Sequence, residues 1–167
     1  VGEAAVAVTV IDNDVLAIVT TPSMGLDVSE NGTTSLAVRL SAQPATSTMV
    51  TLVSSNPLAA TLNPTLLMFS PTSWNIDQQV TVSGCDDVNT TTDVSSAVLA
   101  GTGRAEVAVA VTVADDDVLG IVPSTTNLDS LREDTTSSFT VRLSHQPPGD
   151  VVVAVESSNT AAVAVTQ

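Results

Sequence analysis

The chain has 167 residues, which is enough for one large domain or two small ones. Hydrophobic residues make up 43 % of it but aromatic residues only 2 %, and 18 acidic residues against four basic ones give a formal net charge of −14. This charge argues against nucleic acid and anionic membrane surfaces as partners and favours cations. The abundance of Val, Ala, Thr and Ser is typical of β-strands and turns, and no apolar run is long enough for membrane insertion as a helix.

The sequence repeats itself at an offset of 103 positions. AVAVTVIDNDVLAIV at 5–19 returns as AVAVTVADDDVLGIV at 108–122, and VRLSAQP at 38–44 returns as VRLSHQP at 141–147. Roughly two in five residues are identical over about 60 aligned positions, and a period of about 100 residues suits a whole domain. We therefore expect a piece of a longer protein: the C-terminal strand of a preceding repeat at 1–14, a complete repeat at 15–117, and the N-terminal half of a following repeat at 118–167.

Within the complete repeat, short strand-like segments are separated by turn residues such as those of Asn31–Gly32 and Asn56–Pro57, and apolar and polar residues alternate well at 35–40, 79–84 and 106–113. They predict strands, in chain order, at 16–20, 26–28, 33–41, 48–54, 58–62, 66–69, 78–83, 94–99 and 105–113. This density of short strands is typical of a two-sheet antiparallel β-sandwich of the immunoglobulin-like kind. Because Phe69 and Trp74 are the only aromatic residues of this repeat, we expect a thin core of small side chains.

Carboxylates gather where predicted strands end. Consecutive aspartates at a strand end repel one another, and a bound cation is the simplest reason to collect them. Oxygen ligands without neighbouring His or Cys clusters indicate Ca²⁺ rather than Zn²⁺ or copper, and the alternative is a set of solvated turn residues. The candidate metal ligands are Glu30, Asp86, Asp87, Asp115, Asp116 and Asp117, with Asp12, Asp14 and Glu133 at matching places in the incomplete repeats.

Three segments of the complete repeat together resemble the Calx-β domain and related repeats of large bacterial surface proteins and adhesins. They are VSENGTTSLAVRLSAQP, FSPTSWNIDQQVTVSGCDD and AVTVADDD. The resemblance implies tandem β-sandwiches that bind calcium between consecutive domains, with the ligand positions falling on the carboxylates named above. The chain departs from the family where SSNPLAAT lacks a carboxylate that calcium-binding members have, so the expected calcium affinity is weak.

No catalytic constellation is found in the sequence, and we expect no enzyme. His145, the sole histidine, lies in a turn where the preceding repeat has Ala42. The sequence contains no nucleophile elbow and no phosphate-binding glycine loop. Cys85 follows a strand beside two aspartates, which disfavour a reactive thiolate, and Trp74 is expected in the core.

The function expected from these features is a structural repeat module, a stiff spacer in an extracellular filament, adhesin or surface layer, with calcium at the joints between domains. Its partners would be neighbouring repeats or identical subunits, and glycans on Ser, Thr or Asn are possible at sequences such as Asn31–Gly–Thr. One alternative is a ligand- or carbohydrate-binding adhesin module, and another is a calcium-sensing regulatory domain. Exchange of residues 1–14 between subunits by strand addition is a further alternative to a continuous chain.

Overall fold

In a computed structural model of the chain we describe residues 2–102, 104–129 and 131–166. These residues form β-strands, turns and irregular segments, so the expected all-β class is confirmed. No helix in these ranges has the length and apolar character needed to cross a membrane. The chain divides into two compact units: unit 1 is Val1–Asp87 with Thr92–Asp115, and unit 2 is Val88–Thr91 with Asp116–Gln167.

Among the described residues, unit 1 contains nine strands in two sheets, and each of the nine predicted segments overlaps one of them. The first sheet has the order β1-β3-β7-β5, formed by Ile18–Thr21, Thr33–Leu40, Gln78–Gly84 and Ala60–Asn63. The second has the order β2-β9-β8-β4-β6, formed by Leu26–Ser29, Val107–Ala114, Asp93–Gly101, Thr48–Ser54 and Leu66–Phe69.

One hydrophobic core joins the two sheets, as in a β-sandwich. Leu36 and Val80 of the first sheet and Leu99 of the second are fully buried, and Phe69 is the largest side chain with no exposed surface. Trp74 is partly buried and packs against this core. Most core residues are Val, Leu and Ala, because alternate residues of each strand point inward and the sequence supplies small apolar side chains there.

The expectation of a wholly antiparallel sandwich is wrong at one strand pair. β2 pairs with β9 in parallel, with Leu26 opposite Val111 and Ser29 opposite Ala114. The reason is a change of sheet early in the chain: β1 pairs with β3 in the first sheet, and after the segment around Pro22 the chain continues as β2 in the second. Alternation within a strand predicts which face is buried, but it does not predict whether the neighbouring strand is parallel or antiparallel.

The segment 2–17 forms no strand, although residues 5–10 have the same sequence as 108–113 in β9. In β9, Val109, Val111 and Val113 are buried between β2 and β8. In the early segment, the corresponding Val6, Val8 and Val10 are at least 80 % exposed. The same six residues therefore have two environments, because strand formation depends on pairing partners as well as on propensity.

Unit 2 reproduces the first strand pair of unit 1 at the offset of the sequence repeat. β10 (Ile121–Pro123) and β11 (Val141–Leu143) are antiparallel, and Ile121 lies opposite Leu143 as Ile18 lies opposite Leu40. A serine clamp is repeated as well. The Ser41 hydroxyl accepts from Ala17 N and donates to Val15 O, and the Ser144 hydroxyl accepts from Gly120 N and donates to Val118 O.

Replacement of the core aromatic should be costly. Phe69→Ala should lower the free energy of unfolding of unit 1 by about 3–5 kcal/mol, because it leaves a cavity between the sheets. Met68→Ala is the matched control on the same strand, with a side chain 52 % exposed, and should cost less than about 1 kcal/mol. Urea unfolding of both variants measures the difference, and equal losses would contradict this description of the core.

Candidate metal centre

Three carboxylates of unit 1 converge at one end of the sandwich, and we call them the acidic cluster: Glu30, Asp87 and Asp115. One oxygen of each lies within 4.8 Å of the others. Glu30 is buried, with 3 % of its surface exposed, and the two aspartates are half-buried. Three oxygens at this spacing form a group that could hold a metal ion.

The parallel pairing of β2 and β9 places two members of the acidic cluster side by side. Glu30 directly follows β2, and Asp115 directly follows β9. The Glu30 amide donates to the carbonyl of Ala114 at 3.0 Å, which continues the ladder by one residue beyond Ser29 and Ala114. The strand ends are therefore level, and the two carboxylates leave the sheet from neighbouring strands.

The end of β7 brings the third member. Gly84 forms an isolated bridge to Glu30, and its amide donates to the carbonyl of Gly32 at 3.1 Å. A Cβ at Gly84 would clash with the carbonyl oxygen of Ser29, so glycine permits this close approach. The chain then continues through Cys85 and Asp86 to Asp87.

Asp93 also lies against the acidic cluster. It is the first residue of β8 and pairs with Val113 near the end of β9. Partial burial raises the pKa of its carboxyl group, and so do the negative charges of Asp87 and Asp115 and a side-chain hydrogen bond with Asp87. Sequence reasoning did not include Asp93 among the candidate ligands. The signal that would have found it is the antiparallel β8–β9 pairing, which returns the start of β8 to the end of β9.

The other predicted ligands are exposed or belong to unit 2. Asp86 is exposed, but one of its carboxylate oxygens also lies within 4.8 Å of one of Glu30. Asp116 and Asp117 belong to unit 2. Asp117 Oδ1 lies 3.1 Å from His145 Nε2, while His145 Nδ1 lies 3.1 Å from the carbonyl oxygen of Val118. The exposed Asp12 accepts a hydrogen bond from the Asp14 amide at 2.9 Å, and Glu133, the counterpart of Glu30, is exposed.

Comparisons with known proteins identify no family for this chain. The sequence matches no protein-family model and no curated protein. The xyloglucanase of Bacteroides ovatus is 10 % identical with a TM-score of 0.44, and the match covers 60 % of this chain and 19 % of that one. For WR4, a member of the MSP family of C. elegans, identity is 11 %, the TM-score is 0.46, and 58 % and 97 % of the two chains are covered. The chain therefore spans about a fifth of the first of these proteins.

Asp93 should make the stability of unit 1 depend on pH. Because folding raises its pKa above the ordinary 3.8, the native state binds this proton more tightly than the unfolded state does. Its contribution to stability is therefore fully present below pH 3.8 and is lost as the pH rises through the raised value. With chelator present, Asp93→Asn should raise the Tm at pH 7, and the difference from the parent should shrink towards pH 3.

The control for this experiment is Asp27→Asn, which removes an exposed carboxylate of β2. Thermal unfolding followed by circular dichroism at a series of pH values gives the comparison. A Tm gain that is the same for both variants, or that does not change with pH, would contradict the account of Asp93.

Gly84 should be required for the geometry of the acidic cluster. Gly84→Ala should lower the free energy of unfolding by about 2 kcal/mol or more, since the new methyl group meets the backbone of Ser29. Gly25→Ala is the matched control, because a Cβ there lies 3.8 Å from the nearest backbone atom, which is an ordinary contact. Urea unfolding distinguishes them, and a tolerated Gly84→Ala would contradict the close approach of β7.

Proposed function

We propose that unit 1 is a structural repeat module of an extracellular filament, adhesin or surface layer, and that its acidic cluster binds calcium. The observation that carries the proposal is the convergence of Glu30, Asp87 and Asp115 within 4.8 Å at one end of a small-residue sandwich. The cation stabilises the module, and the module acts as a stiff spacer.

The chemistry of the acidic cluster supports calcium. Calcium takes six to eight oxygen ligands in flexible geometry, and carboxylates and backbone carbonyls supply them. The acidic cluster offers carboxylate oxygens from three chain segments, and Asp93 lies close enough for its charge to act on two of them. A divalent cation would offset this mutual repulsion, which otherwise opposes the folded state.

Repetition supports the role of a spacer. The offset of 103 residues relates both the sequence and the local structure of the β1–β3 and β10–β11 pairs, including the serine clamp. Asp115 is the last residue of unit 1 in the sequence, and the chain continues directly into unit 2. A cation bound there would therefore stabilise the residues through which one repeat leads to the next.

Calcium should raise the stability of unit 1 by an amount that fits a weak extracellular site. With a Kd of ~10⁻⁴–10⁻³ M, a calcium concentration of about 10 mM contributes on the order of 1.4–2.7 kcal/mol. For a domain of this size, the Tm of unit 1 should rise by roughly 5–15 °C. Differential scanning calorimetry with calcium and with EGTA measures the shift.

The ligands are tested by Glu30→Gln and Asp115→Asn, each of which should abolish most of the calcium-dependent shift. Glu106→Gln is the control, because Glu106 is exposed and lies outside the acidic cluster. An equal shift produced by NaCl of the same ionic strength would indicate screening rather than a site. A maximum dimension in small-angle scattering that is identical with calcium and with EGTA would contradict the stiffening role.

A further inference from the structure

A second candidate site lies at the opposite end of unit 1. Described residues just before β1, between β3 and β4, and after β8 line an open cavity of about 470 Å³, which we call the Arg104 pocket. Its lining includes Leu16, Thr46, Ser47, Thr48, Thr102 and Arg104. The acidic cluster lies at the start of β8 and this pocket beyond its end, so the two are separated by eight steps along the strand, or about 26 Å.

Arg104 is a positive charge that has no carboxylate partner in the described part of a strongly acidic chain. The other arginine of unit 1, Arg39, lies 3.6 Å from Asp77, whereas no carboxylate of the described residues lies within ion-pair distance of Arg104. Two hydrogen bonds hold the guanidinium in place: Nη1 donates to the Thr48 hydroxyl at 2.9 Å and to the carbonyl of Thr102 at 3.1 Å.

The remaining donors of Arg104 are unused. The guanidinium has five N–H groups, and neither Nε nor Nη2 has an acceptor among the described residues. Nε is also enclosed by protein atoms, although the side chain as a whole is only half-buried. Nη2 is therefore the donor left to a ligand, and its two N–H groups suit a carboxylate or another oxyanion.

The parts of the adjacent repeats that the sequence contains do not show this chemistry. At the 103-residue offset, Arg104 corresponds to Val1, Thr48 to Val151, and Ser47 to Asp150. A feature needed by every spacer module would recur in each repeat. At the compared positions this combination of a cation and hydroxyl groups does not recur, so the spacer role does not account for it.

We propose that the Arg104 pocket binds the carboxylate of an acidic sugar. The net charge of −14 repels polyanions, whereas a single carboxylate on an otherwise neutral molecule meets little repulsion. Hydroxyl groups of Thr46, Ser47 and Thr48 line the cavity and suit the hydroxyls of a saccharide, and Leu16 and Met49 offer apolar contact to its C–H groups. A volume of about 470 Å³ accommodates one or two sugar rings.

The test is an NMR titration of the full chain with sodium glucuronate, sodium acetate and glucose, in the presence of calcium. Glucuronate should give saturable shifts at residues 44–49 and around Arg104, with a millimolar Kd, and should bind at least about tenfold more tightly than glucose. Acetate should bind more weakly than glucuronate, because it lacks the hydroxyl groups. Acetate binding as tight as that of glucuronate would overturn the assignment to a sugar.

Two variants test the residues. Arg104→Gln should weaken glucuronate binding by at least about tenfold, while the control Arg39→Gln should leave it within about twofold. If Arg104→Gln does not fold, Thr48→Val takes its place, because it removes the hydroxyl that orients the guanidinium and should weaken binding several-fold. Unchanged binding in the folded variant, or no saturable shift with the parent protein, would overturn the proposal. Glu30→Gln should lose the calcium response and keep glucuronate binding. The calcium proposal and the sugar proposal can therefore fail separately.

Discussion

The parallel contact between β2 and β9 is the constraint on which the rest of unit 1 depends. It makes the ends of two strands level, so that Glu30 and Asp115 leave the sheet side by side. It also holds Ser29 where the backbone of β7 can pass only because residue 84 is glycine. An antiparallel partner would have put the end of β2 beside the start of β9. The acidic cluster is therefore a consequence of strand direction.

In this arrangement, repulsion between carboxylates opposes folding, whereas a bound cation would favour it. Unit 1 has a core of small side chains, and one of its ends gathers carboxylates, where partial burial and the charges of Asp87 and Asp115 raise the pKa of Asp93. Repulsion between these carboxylates disfavours strand pairing where β2 and β9 end and β8 begins. A cation would reverse the sign of the effect, so stability becomes a function of the surrounding solution. This is our reason for treating the cluster as a binding site rather than as a set of solubilising charges.

The sequence predicts much of the fold and less of the site. The pattern of short strand-like segments between turn residues overlaps all nine strands of unit 1, and period-two alternation marks the buried face of β3, β7 and β9. It also placed Glu30, Asp87 and Asp115 at strand ends. It could not reveal the parallel direction of β2 or the neighbour that Asp93 acquires, since both depend on pairing between distant segments. Nor could it reveal the Arg104 pocket, because the threonine that orients the guanidinium lies 56 positions away.

The two ends of β8 lead to opposite charges, and this gives unit 1 an electric polarity along its strands. Carboxylates gather at the end where β8 begins, and Arg104 lies beyond the end where it stops. Such a body carries a permanent dipole moment in addition to its net charge. Opposite ends of one strand therefore differ in the charge of the solute that they attract.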